Sequence, residues 1–91
     1  MPPNRKERRH QARKAARELL GGIASGEAEV YVTYRRLYVI WCSQNAAVQE
    51  LRPMFRLPGV APDGQLSVTP EFEAQVRALA TEIMPMLDSF L

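Results

Sequence analysis

Apolar residues recur at helical spacing in three segments of the chain. The first segment, residues 4–22, has a narrow stripe of small and aliphatic side chains. The stripe extends one residue past the segment. This stripe consists of Ala12, Ala15, Ala16, Leu19 and Ile23. Asn4 lies three residues before Glu7, which is the spacing of a capping box, and Gly21-Gly22 is a typical stop signal. The pattern predicts a helix that begins at Asn4 and ends at the glycine pair.

The second segment can be interpreted in two ways. Large residues follow a three-and-four spacing that favours a helix over about residues 26–51, ended by Pro53. They are Tyr31, Tyr34, Tyr38, Trp41, Asn45 and Val48. Residues 29–41 are also rich in β-branched and aromatic types, which favours a strand. We predict the helix, because 13 residues without a turn signal are long for one strand. The strand alternative implies an α+β fold.

The third segment begins with the clearest local signal in the chain. Thr69 is a good N-cap, Pro70 suits the first helical position and Glu71 suits the first turn. An apolar stripe follows and predicts a helix over about residues 70–90, kinked near Pro85. It comprises Phe72, Val76, Leu79, Ile83, Met86 and Phe90. The Pro- and Gly-rich residues 52–68 form a long connection that includes the apolar Phe55, and we expect this connection to contact a partner.

These elements predict an all-α fold with a basic helical arm, residues 1–22, and a small helical body, residues 23–91. Two helices cannot enclose a core. The chain has one cysteine, Cys42, and one histidine, His10, so neither a disulfide nor a zinc site can form within it. Either the first helix completes a three-helix bundle, or two hairpins pair as a dimer. We favour the homo-oligomeric bundle. Its predicted interface is Tyr31, Tyr34, Tyr38, Trp41, Phe55, Phe72, Val76, Leu79, Ile83, Met86 and Phe90.

Charge is distributed unevenly along the chain. The net charge of the 91 residues is +2, yet residues 1–20 hold seven basic and two acidic side chains, a net +5. Arg9, Arg13 and Arg17 repeat at i, i+4, and each like-charge pair costs up to about 0.5 kcal/mol. A bound polyanion would remove this repulsion. We therefore predict non-specific contacts to nucleic-acid phosphates, or to an acidic protein surface, from Arg5, Lys6, Arg8, Arg9, Arg13, Lys14 and Arg17. The alternative is a solvated basic tail.

Catalytic chemistry has little support in the sequence. His10 lies in the basic segment, and Cys42 ends an apolar run, which predicts a buried, unreactive thiol. We expect no catalytic residue, metal, cofactor or small-molecule substrate. The longest apolar run, residues 37–42, has six residues and is too short to span a membrane. Without a disulfide or a secretory signal, the expected location is the cytoplasm.

The resulting hypothesis is a small non-enzymatic assembly or accessory protein. Its body self-associates or docks a partner, and its basic arm contacts nucleic acid or an acidic surface. The alternative is a protein-binding module or inhibitor that acts through its aromatic and Pro-rich surfaces and makes no nucleic-acid contact.

Overall fold

The computed structural model describes residues 4–57 and 69–88. These residues form α1 (Arg5–Ser25), α2 (Val30–Gln44), a 3-10 segment and α3 (Pro70–Asp88). The 3-10 segment consists of the short helices Asn45–Ala47 and Gln49–Arg56. Over the described residues, the all-α prediction is confirmed, and the alternative of a long strand over residues 28–41 is wrong. The Pro- and Gly-rich residues 58–68 and the predicted interface residue Phe90 lie outside the described residues.

The predicted starts of the first and third helices are confirmed by their caps. The Asn4 side-chain oxygen accepts a 2.8 Å hydrogen bond from the backbone N–H of Glu7. The Thr69 hydroxyl accepts one of 3.1 Å from the backbone N–H of Phe72. In each case a side chain satisfies a backbone donor that has no partner inside its helix.

The predicted end of the first helix is wrong. α1 continues through Gly21-Gly22 and ends at Gly26, whose φ of +83° is in the left-handed region that favours glycine. A Cβ on Gly22 would lie 2.9 Å from the Cβ of Ala28. Gly22 therefore allows the chain entering α2 to approach α1 closely, and it does not stop the helix.

The helix predicted over residues 26–51 is shorter than expected. α2 ends at Gln44, and the chain then tightens into the 3-10 segment, which contains Pro53. The tighter winding turns the chain, so that Leu51 and Met54 point into the core. α3 continues through Pro85 to Asp88.

α1 and α3 run antiparallel, because Arg13 contacts Leu87 whereas the carbonyl of Ile23 contacts Arg77. The core lies between these two helices, α2 and the 3-10 segment. Its fully buried large side chains are Leu20, Ile23, Val30, Tyr34, Leu37, Val48, Leu51, Met54, Val76, Ile83 and Leu87. α1 thus supplies one wall of the core within a single chain, as in the three-helix alternative, and the boundary expected at residue 22 falls inside α1.

Candidate nucleic-acid interface

The basic residues of α1 fall into two groups that the sequence pattern does not separate. Arg13 belongs to the first group and is buried, with 9% of its surface exposed. Its guanidinium donates to both carboxylate oxygens of Glu50, at 3.1 and 3.0 Å, and to the Ala47 carbonyl at 2.7 Å. It also donates at 3.2 Å to the carbonyls of Met86 and Leu87, near the C-terminus of α3. Arg13 therefore joins α1 to α3 and to the 3-10 segment, and it does not face solvent.

Arg17 also contacts α3. Its Nε lies 3.0 Å from a carboxylate oxygen of Asp88, and both side chains are well exposed, at 38% and 46%. Water therefore screens this ion pair much more than it screens the pair between Arg13 and Glu50.

The second group consists of five exposed cations. Residues 4–11 are exposed throughout. The exposed cations are Arg5, Lys6, Arg8, Arg9 and Lys14. Among the residues that the structure describes, no carboxylate lies within ion-pair distance of them. We call these five residues the basic end of α1.

A cleft of about 600 Å³ lies between the basic end and the 3-10 segment. Arg5, Lys6, Arg9 and His10 line it from α1, and Arg13 lies among its lining residues. Ala46, Gln49 and Glu50 line it from the 3-10 segment. Arg8 and Lys14 are not part of this lining. Of the five exposed cations, three therefore line the cleft and two do not.

The carboxylate of Glu50 does not cancel the positive charge of the cleft. Burial raises the pKa of Glu50, but hydrogen bonds from Arg13 and from the backbone N–H of Glu50, together with the charge of Arg13, outweigh this effect. The pKa of Glu50 therefore lies below its ordinary value. The side chain stays ionised and is neutralised by Arg13, so the charges of the other three cations are left uncompensated.

Most of the predicted interface residues lie in or against the core of the single chain. Tyr34, Phe72, Val76 and Ile83 are buried, and Tyr38, Trp41, Phe55 and Leu79 are half-buried. Phe55 is the centre of the aromatic contacts, with ring centroids 5.2 Å from Tyr34, 5.7 Å from Tyr38 and 5.5 Å from Trp41. Of the predicted interface residues that the structure describes, only Tyr31 and Met86 are exposed, at 37% and 51%. The aromatic stripe therefore packs α2 onto the 3-10 segment.

The sequence analysis missed an exposed face on α2. Within the described residues, three of the four exposed large apolar side chains lie there: Tyr31, Val32 and Val39. Arg35 and Arg36 are exposed between them, and Arg35 donates a 3.1 Å hydrogen bond to the Tyr31 hydroxyl. We call these five residues the outer face of α2. The sequence signal for this face was the four-and-three spacing of Val32, Arg36 and Val39. The aromatic stripe beside it is the stronger pattern and was the basis of the predicted interface.

The remaining chemistry of the described residues is sparse. Cys42 is exposed, so the prediction of a buried thiol is wrong: the apolar run that it ends lies on a helix, and a helix turns successive residues to different sides. In the described part of the chain, no group of His, Cys, Asp and Glu side chains could hold a metal ion. None of the described helices combines the length and apolarity needed to cross a membrane.

Comparison of the chain with protein-family models, curated proteins and solved structures found no match. The protein is therefore described by its own geometry. The described residues form a small helical bundle in which the start of α1 is cationic.

Proposed function

We propose that this protein is a small cytoplasmic accessory protein that binds nucleic acid without sequence preference through the basic end of α1. The observation that carries the proposal is the set of five exposed cations without a described carboxylate partner, on a helix held in place by Arg13 and Arg17. A helix fixed in this way presents its charges without the ordering cost that a flexible tail incurs on binding.

Phosphate is the ligand chemistry that suits this surface. Each phosphate that a cation neutralises releases counterions, and this contributes about 0.9 to the slope of log K against log salt on duplex DNA. Five contacts would therefore give a slope of about −4 to −5. The side chains of the basic end are arginine and lysine, and the sequence has no helix-turn-helix spacing, so we expect binding with little discrimination among base sequences.

The test is a salt titration of a labelled duplex and a labelled single strand with the full chain and two charge-matched variants. The first variant changes Arg5, Lys6, Arg8 and Arg9 to Ala. The second changes four exposed arginines elsewhere to Ala, at positions 35, 36, 52 and 56. We expect the first variant to lose most of its affinity and about 3.6 units of slope, and the second to keep both. Equal losses would mean that the whole surface acts as a diffuse charge, and absence of binding by the full chain would reject the proposal.

The outer face of α2 favours a second activity, the docking of a protein partner. α2 contains no acidic residue, so Val32 and Val39 flank a purely cationic centre at Arg35 and Arg36. If two copies paired antiparallel through this face, these arginines would oppose their own counterparts, which disfavours that dimer. An acidic amphipathic segment of a partner protein fits the face better. Self-association remains a prediction, and it is not needed to close the core of one chain.

This second activity is tested with Val32→Asp/Val39→Asp, which leaves the core untouched. Light scattering of the full chain and of the variant measures the oligomeric state. A dimer that the two substitutions dissociate would show that a second copy occupies this face, and a monomer for both would contradict the predicted self-association.

A further inference from the structure

The cleft beside the basic end has features that a diffuse cationic surface lacks. Besides Arg13, which is paired with Glu50, three exposed cations line one cavity, together with the imidazole of His10 and the amide of Gln49. Its volume of about 600 Å³ lies within the range of small-ligand pockets, about 300–1,000 Å³. An imidazole and a side-chain amide both carry N–H donors, so the lining offers hydrogen bonds as well as charge.

We propose that this cleft binds a phosphate monoester, an inference that rests on the nucleic-acid binding proposed above. A monoester carries a charge of about −1.5 to −2 at pH 7, whereas a backbone diester carries −1. Three cations around one cavity match the larger charge, and the three terminal oxygens of a monoester can accept hydrogen bonds from several sides. Either the phosphorylated end of a nucleic-acid strand or a free nucleotide could carry the group.

The lining carboxylate fits this proposal because it is already occupied. Both oxygens of Glu50 accept hydrogen bonds from Arg13. The ion pair adds no net charge to the cleft, and the bound phosphate does not have to displace Arg13 from the core.

The test compares two short single strands of identical sequence, one with a 5′-phosphate and one with a 5′-hydroxyl. Fluorescence anisotropy at low salt measures the affinity of the full chain for each. We expect the phosphorylated strand to bind at least about fivefold more tightly, which is the gain from one additional charge near a cation in a solvent-exposed site. Adenosine 5′-monophosphate and adenosine, compared by calorimetry, test the free nucleotide as the alternative source of the same group.

Two variants of equal charge separate the cleft from the rest of the helix. Arg5→Ala/Arg9→Ala removes two cations that line the cleft, and Arg8→Ala/Lys14→Ala removes two that do not. All four side chains are exposed, so both variants should fold, and circular dichroism checks that they do. We expect the first variant to abolish the preference for the phosphorylated strand, and the second to weaken both strands while keeping the preference.

The outcomes distinguish failure of the cleft from failure of the proposed function. If the full chain binds both strands equally, or if both variants reduce the preference to the same degree, the cleft proposal is overturned and non-specific binding stands. If neither strand binds but the monophosphate does, nucleic-acid binding fails and the cleft is a nucleotide site. If none of the phosphate-bearing probes binds, both proposals fail.

Discussion

Replacing Arg13 tests whether the central cation of α1 is a structural residue. Arg13→Ala removes the hydrogen bonds to Glu50, to the Ala47 carbonyl and to the last carbonyls of α3. Removing one partner of a buried ion pair costs about 3–5 kcal/mol. The Glu50 side chain is 20% exposed and can regain some water, so we expect a loss near the lower limit, about 3 kcal/mol.

This loss is large for a domain of this size. A chain of 91 residues has an unfolding free energy of about 5–14 kcal/mol. A change of about 3 kcal/mol lowers the Tm of such a domain by about 12–24 °C. Urea unfolding followed by circular dichroism and by Trp41 fluorescence measures the free energy directly.

Arg17→Ala is the matched control, because Arg17 lies one turn away and also pairs with a carboxylate. That pair is exposed, so its loss should cost no more than about 1 kcal/mol. If the two variants lose the same free energy, the structural role of Arg13 is refuted. Arg13→Met/Glu50→Leu then identifies the source of the loss. The double variant should recover part of the stability if the uncompensated carboxylate causes the loss.

Three further predictions follow from the same packing. Because folding lowers the pKa of Glu50, its contribution to stability is fully present above the ordinary glutamate pKa and is lost as the pH falls through the lowered pKa. Below about pH 4.3, the unfolding free energy should therefore fall less steeply with pH in Glu50→Gln than in the unchanged chain. An unchanged pH profile would contradict this. Gly21→Ala should raise the unfolding free energy by up to about 1 kcal/mol, since the new Cβ meets only flexible side-chain ends beyond 3.4 Å. Gly22→Ala should lower the unfolding free energy, because its Cβ would lie 2.9 Å from the Cβ of Ala28. Equal effects of the two substitutions in thermal melts would refute the distinction. Tyr34→Phe should cost about 1–2 kcal/mol in urea unfolding, because the buried hydroxyl donates a 2.8 Å hydrogen bond to a backbone carbonyl of the 3-10 segment, and a loss below 0.5 kcal/mol would contradict that role.

Local signals predicted the helix starts and the apolar face of α3. A cap depends on a few neighbouring residues, so Asn4 and Thr69 could be recognised without the rest of the fold. In α3, Phe72, Val76 and Ile83 follow the helical period and are buried, because α3 packs against α1 and the 3-10 segment. These features depend on one element at a time.

The role of Arg13 could not be predicted from its own helix. The sequence analysis placed Arg13 with Arg9 and Arg17, since the three recur at i, i+4. Arg13 also lies on the helix face of the buried side chains Ala16 and Leu20, three and seven residues further along the chain. Which neighbour matters depends on where α3 ends and where the 3-10 segment passes, and these are contacts between residues far apart in the chain.

The glycine pair failed as a signal for a similar reason. Glycine favours helix ends because it lacks a Cβ, but the same property permits close packing inside a helix. Gly22 serves the second purpose, against Ala28. Gly26 serves the first, and only the positive φ separates the two cases.

The antiparallel arrangement of α1 and α3 explains how a helix with repelling charges stays ordered in this fold. Arg13 of α1 donates to the carbonyls near the C-terminus of α3, and Arg77 of α3 donates at 2.7 Å to the Ile23 carbonyl near the C-terminus of α1. The C-terminal end of a helix carries a partial negative charge, so each helix places an arginine where the other attracts a cation. Among the described residues, this compensation from the C-terminus of α3 is seen at Arg13. The cations from Arg5 to Arg9 lie beyond this contact. An external anion that neutralised them would stabilise the first turns of α1, as the C-terminus of α3 stabilises the charge of Arg13.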